Sequence, residues 1–126
     1  MVVDGLLYSK EHQWARIEDD TAVVGITDYA QEMLGEIIFV ELPVVDKEFR
    51  VDEEMAVVES TKAASDIYSP VTGRTIEVNS ELESKPELVN EDCYETGWLC
   101  KLKITDEKSV EGLMDAKQYE QYLKGL

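Results

Sequence analysis

Residues 55–73 read MAVVESTKAASDIYSPVTG, and the fold turns on this stretch. Residues 55–59 and 65–69 have the composition of strands, while residues 60–64 between them are small and polar. Two strand-like runs around a short polar centre predict a β-hairpin with Lys62 at its tip. Thr61 and Ala63 are small and leave the lysine open on both sides. A lysine nucleophile needs burial or a cationic neighbour. A solvated tip flanked by Glu59 and Asp66 offers neither. Lys62 therefore reads as a poor catalyst and as an accessible substrate for a modifying enzyme. On hairpin physics alone, an ordinary surface lysine is the favoured reading by roughly ten to one.

The segments around the hairpin carry the same strand-and-turn punctuation. Strands are expected at residues 6–8, 13–18 and 21–26, with Asp19-Asp20 as a tight turn between the last two. Thr27 is placed to cap a short helix over residues 28–34, and Gly35 suits its stop. Tyr29, Ala30, Met33 and Leu34 give that helix an apolar side, which would plug one end of a sheet. Further strands are expected at residues 36–42, 54–60, 64–69, 74–78 and 98–104, bounded by Pro43, Pro70 and Gly73. Pro86 opens a helical turn over residues 87–89. In the tail, Asp115 and Gln118 form a capping box, with Tyr119, Tyr122 and Leu123 on one helical face. The expected architecture is mainly β: a sandwich or small barrel with peripheral short helices and a C-terminal helix. At 126 residues, with no linker that would divide it, residues 1–126 read as a single domain.

Twelve basic residues against 28 acidic ones leave a net charge of −16, which repels nucleic-acid phosphates and anionic membranes. Such a surface favours encounters with partners that carry basic patches. The longest apolar runs, such as residues 37–40, are far too short to span a bilayer. No leader peptide is visible, so the expected location is the cytoplasm, or the mitochondrial matrix for a processed organellar chain. The two cysteines, Cys93 and Cys100, are expected to stay reduced. Trp98, Cys100, Leu102 and Ile104 alternate onto one strand face, which makes Cys100 a core residue. No Cys/His cluster suits zinc, so no metal is expected. The single histidine, His12, reads as a packed or hydrogen-bonding residue near the start of a strand.

The run Glu59-Ser60-Thr61-Lys62-Ala63-Ala64-Ser65-Asp66, followed by Ser69-Pro70 and Gly73, resembles the lipoylation hairpin of glycine-cleavage H proteins. Biotin carriers are related in structure, but they typically place methionine on both sides of the lysine, unlike Thr61 and Ala63. The resemblance extends along the chain through YSKEHQW (8–14), VGITDYAQEMLG (24–35), FVELP (39–43), PELVN (86–90) and Gly97-Trp98. It implies a flattened barrel-sandwich hybrid of two small antiparallel sheets. It also implies lipoate joined by an amide to Lys62, attached by a lipoate ligase or a lipoyl/octanoyl transferase, with Glu59, Ser60, Thr61, Ala63 and Asp66 as the flanks that present it. The implied cycle has three partners. A pyridoxal-phosphate glycine decarboxylase loads an aminomethyl group on the arm, a folate-dependent aminomethyltransferase removes the methylene, and the flavoenzyme dihydrolipoyl dehydrogenase reoxidises the dithiol. The carrier makes no bond itself and supplies tethering and shelter.

Two positions depart from the family. H proteins usually have glutamate between the histidine and tryptophan of the N-terminal motif, and here that residue is Gln13. In the family this acidic side chain lies near the docked, loaded arm, so the resemblance assigns His12 and Gln13 to arm docking. A neutral amide there would hold an ammonium less tightly, by about 1–2 kcal/mol. Asp46 stands where the family commonly has glycine. Gln13 keeps open an alternative, an H-like lipoyl protein serving lipoate relay or sulfur-compound oxidation. A stand-alone enzyme is disfavoured by the lack of a paired base, oxyanion loop or metal cluster. A passive acidic interaction domain remains a third class.

Overall fold

A computed structural model describes residues 1–126. The short strands pair into two antiparallel sheets. The larger has six strands in the order β1 (Leu7–Tyr8), β2 (Gln13–Glu18), β3 (Thr21–Ile26), β9 (Cys100–Asp106), β8 (Thr72–Val78), β5 (Glu48–Phe49). The smaller has three, with β6 (Glu54–Ser60) between β4 (Ile37–Glu41) and β7 (Ala64–Tyr68). Four helices and one 3₁₀ turn complete the chain: α1 (Asp28–Leu34), α2 (Glu81–Ser84), α3 (Leu88–Glu91), the 3₁₀ segment Glu107–Gly112, and α4 (Ala116–Lys124). This is the expected mainly-β architecture of two antiparallel sheets with peripheral helices.

Alternation sends the inner faces of both sheets into one core. Val24 and Ile26 of β3 and Cys100 and Leu102 of β9 meet Val40, Val58 and Ile67 of the smaller sheet, with Leu82 and Val89 closing over them. Opposite-facing neighbours form a second cluster. Tyr8, Trp14 and Val23 pack with Cys93, Tyr94, Ala116 and Tyr119. The larger sheet is thus covered on both faces near β3, which explains why Ala22 to Ile26 are all buried. In α4 the capping box of Asp115 and Gln118 is present, and Tyr119 stacks on Tyr8 with ring centroids 4.5 Å apart.

Some boundaries differ from the sequence reading. The last strand starts at Cys100 rather than at residue 98 and runs on to Asp106. Trp98 leaves the strand because its carbonyl accepts from the Asn79 side chain, while Leu99 still donates to the Val24 carbonyl. The helical turn after Pro86 begins at Leu88. Met33 does not join the apolar side of α1. It is 65% exposed, while Ala30 and Leu34 pack on the core.

Candidate functional site

β6 and β7 pair from Glu54↔Tyr68 to Glu59↔Ala64, which leaves residues 60–63 as the turn. Ser60 organises it. Its N–H donates to the Ala63 carbonyl at 2.8 Å. Its hydroxyl oxygen accepts the N–H groups of Lys62 (3.1 Å) and Ala63 (3.2 Å) and donates to the Ala63 carbonyl. Such side-chain-to-backbone bonds are how serine stabilises a tight turn. Ser60 is buried, whereas Thr61, Lys62, Ala63 and Ala64 are exposed. The N–H of Thr61 donates to the Glu36 carbonyl and ties the turn to the segment leading into β4. Glu59 and Asp66 are exposed on the two strands below it. Five of the six hairpin residues singled out from the sequence are therefore gathered at one end of the smaller sheet, while Asp66 lies mid-strand in β7, opposite Val57.

His12 and Gln13 lie elsewhere, His12 at the end of the turn after β1 and Gln13 as the first residue of β2. His12 has a positive φ of 71°, uncommon for a non-glycine residue. Its Nδ1 lies 2.8 Å from the Tyr119 hydroxyl, which lies 2.8 Å from the Thr27 hydroxyl. Thr27 in turn caps α1 by accepting the Ala30 N–H. Gln13 is 2% exposed. Its oxygen accepts the Ser9 hydroxyl at 2.6 Å, and its amide nitrogen donates to the Glu11 carbonyl.

Helix α1 links the two groups. Tyr29 in its first turn packs on the His12 ring at 4.5 Å, and Gly35 at its other end lies against the Lys62 side chain. Seven helical residues span about 10 Å. Sequence reasoning did not find this link, nor the cleft of about 540 Å³ lined by Ser9, Lys10, Glu11, Tyr68, Pro70 and Leu113. The cleft joins residues far apart in the chain, which no local motif signals.

Burial pushes the His12 imidazole below its ordinary value of 6.5, with Glu11 opposing. The unfolded chain then takes up its proton at a higher pH than the folded one. Stability from this group is complete above pH 6.5 and is lost as pH falls through the window between 6.5 and the lower folded-state value. Urea unfolding between about pH 7.5 and pH 5.5 is expected to show this decline, and His12→Gln should flatten it. Burial also pushes the thiols of Cys93 and Cys100 up to about 12. Both are free and stay protonated at neutral pH, without the thiolate that redox chemistry needs.

With this geometry in view, the comparisons with known proteins are specific. The family described as "Glycine cleavage H-protein" matches residues 6–126. The chain belongs to the glycine cleavage H-protein family. It is 51% identical over 123 residues to a glycine cleavage system H protein of Halothermothrix orenii, covering 98% of this chain and 96% of that one. It is 52% identical over 120 residues to one from Alkaliphilus oremlandii, covering 95% and 94%. The crystal structure of a glycine cleavage system H protein from Mycobacterium marinum superimposes with a TM-score of 0.90 at 34% identity, over 99% of this chain and 100% of that one. H proteins carry lipoate on a lysine and are the non-catalytic carrier component of the glycine cleavage system, and that is the role of this chain. The relay and sulfur-oxidation alternative is not favoured. No helix is long and apolar enough to cross a membrane.

Proposed function

We propose that Lys62 is the lysine that carries lipoate. The observation supporting this is its exposure at the tip of a turn whose backbone Ser60 holds in place, between small neighbours. These residues fit the group: an acyl chain can extend from Nζ without meeting Thr61, Ala63 or Ala64. When attached, lipoate supplies a long arm ending in a dithiolane that accepts and yields a one-carbon amine. The chain's own part is mechanical. The Ser60 turn fixes the root of the arm, and the acidic surface steers the carrier toward partners with basic faces. Peptide mapping of the protein from its own cells tests the assignment. A lipoyl adduct on Lys62 is the expected result, and an adduct on another lysine would overturn it.

The partners in this reading are glycine decarboxylase, aminomethyltransferase and dihydrolipoyl dehydrogenase, with a lipoate ligase or a lipoyl/octanoyl transferase attaching the arm. The whole of residues 1–126 acts as one carrier unit in the cytoplasm. Glu59, Thr61, Ala63 and Asp66 form the surface the attaching enzyme reads. His12 and Gln13 border the docked arm. The Gln13 oxygen, already accepting from Ser9, offers a dipole where a carboxylate would offer a charge. Gln13→Glu is therefore expected to lengthen retention of a cationic cargo severalfold, read as the half-life of the loaded carrier at neutral pH. An unchanged half-life would remove Gln13 from the docking path.

A further inference from the structure

We propose that Gly35 and Asn90 form a seat that positions the Lys62 side chain for acylation, an inference that rests on Lys62 being the carrier lysine. Gly35 ends α1 with φ 83° and ψ −155°, a region essentially closed to residues with a side chain. Its bare α-carbon faces the lysine. A Cβ placed there would lie 3.4 Å from Lys62 Cε, 3.5 Å from Nζ and 3.9 Å from Cδ. The last three atoms of the side chain thus run across this glycine instead of extending freely from the hairpin.

Electrostatics favours the same placement. The C-terminal end of a helix carries a partial negative charge that attracts cations. α1 has no basic residue in its last turn, and Lys62 brings an ammonium there from the hairpin. Asn90, on α3, fixes the corner. Its Nδ2 donates to the Gly35 carbonyl at 2.8 Å and to Gln31 Oε1 at 3.0 Å. Its Oδ1 accepts the Ile37 N–H at 2.9 Å. The Thr61 N–H bonds the Glu36 carbonyl in the same corner. The hairpin fixes where Lys62 starts, and the seat fixes where its amine points. Acylation forms one bond from Nζ to the acyl carbon, breaks that carbon's bond to its activating group, and releases two protons from the nitrogen. The helix end then loses its cation.

Asn90→Ala removes all three bonds, while Asn90→Asp keeps an acceptor for Ile37 and removes the donor to Gly35. Each full-length unmodified protein is acylated by a purified lipoate–protein ligase with lipoate and ATP, followed by intact mass and peptide mapping. In parallel, acetic anhydride labels all lysines, with exposed Lys85 as the reference. A lysine spread over its rotamers loses about tenfold in productive orientation. Both variants should show that loss in kcat, with KM little changed because the hairpin surface is intact. Chemical labelling of Lys62 relative to Lys85 should rise or stay constant, because a small reagent needs no fixed direction. An unchanged enzymatic rate in either variant overturns the seat, and so does a fall that comes with altered labelling at every lysine. Should Asn90→Ala fail to fold, Asn90→Asp is the variant to read. Lipoate on a different lysine of the unaltered protein would overturn the carrier assignment itself, separately from the seat.

Discussion

Lys62→Arg is expected to abolish lipoate attachment and carrier activity together while the fold stays intact. Arginine keeps the positive charge at the hairpin tip and most of the aliphatic stem, but its delocalised guanidinium is not acylated by an enzyme built for an amine. The side chain is exposed and makes none of the structure's ion pairs, so the change in stability should stay within about 0.5 kcal/mol. The turn itself is held by Ser60 and by the Lys62 backbone N–H, which the substitution preserves. Intact mass should show no lipoyl increment, and glycine cleavage reconstituted with the variant should fall to the level without any carrier. Retention of the lipoyl increment would place the attachment elsewhere in the chain.

The contrast with the Asn90 variants is useful. Arginine removes the chemistry and leaves the corner, whereas Asn90→Asp leaves the amine and loosens the corner. That the two separate at all depends on α1, whose ends touch His12 and Lys62. Nothing in the sequence announces this. Gly35 was readable as a helix stop, because glycine after an apolar helical run carries a local signal, but its contact with Lys62 spans two elements. Asn90 sits in a segment with family resemblance, yet its three partners are 53 to 59 residues away. The hairpin, by contrast, was legible in detail because strand composition, turn chemistry and pairing all lie within twenty residues. The capped helix α1 and the capping box of α4 were legible for the same reason. The pieces that escaped were β5, α2 and the 3₁₀ segment. At two, four and six residues they are too short to show a hydrophobic period. Gln13 shows the opposite case. Its position in a motif was plain, and its burial with Ser9 and Glu11 was not, since a polar residue in sequence carries no sign of a folded loop that satisfies it.

Trp14→Ala is expected to lower stability by about 3–5 kcal/mol, the range for removing a buried tryptophan. Trp14 is fully buried, and its indole N–H donates to the Cys93 carbonyl at 3.0 Å. The ring lies across the strand from Gly25, its partner in register. A Cβ on Gly25 would fall 2.6 Å from three ring atoms, so Gly25→Ala alone should also destabilise, by about 1–3 kcal/mol through overpacking. The two changes share one space, and their effects cannot add. With the ring gone, the methyl group at Gly25 enters the vacated volume, and alanine is better than glycine in a strand interior. The double variant should therefore unfold at a denaturant concentration no lower than Trp14→Ala alone, measured in urea at neutral pH. Additive losses would mean that Gly25 is required for its backbone and not for the ring. Because this cluster joins β1, β2 and α4 to Cys93 and Tyr94, its loosening should also release Tyr119 from Thr27 and His12. The pH dependence that His12 confers between neutral and mildly acid conditions should fade in the same variant. A variant that lost stability yet kept that dependence would show that the His12–Tyr119–Thr27 chain stands without the tryptophan beneath it.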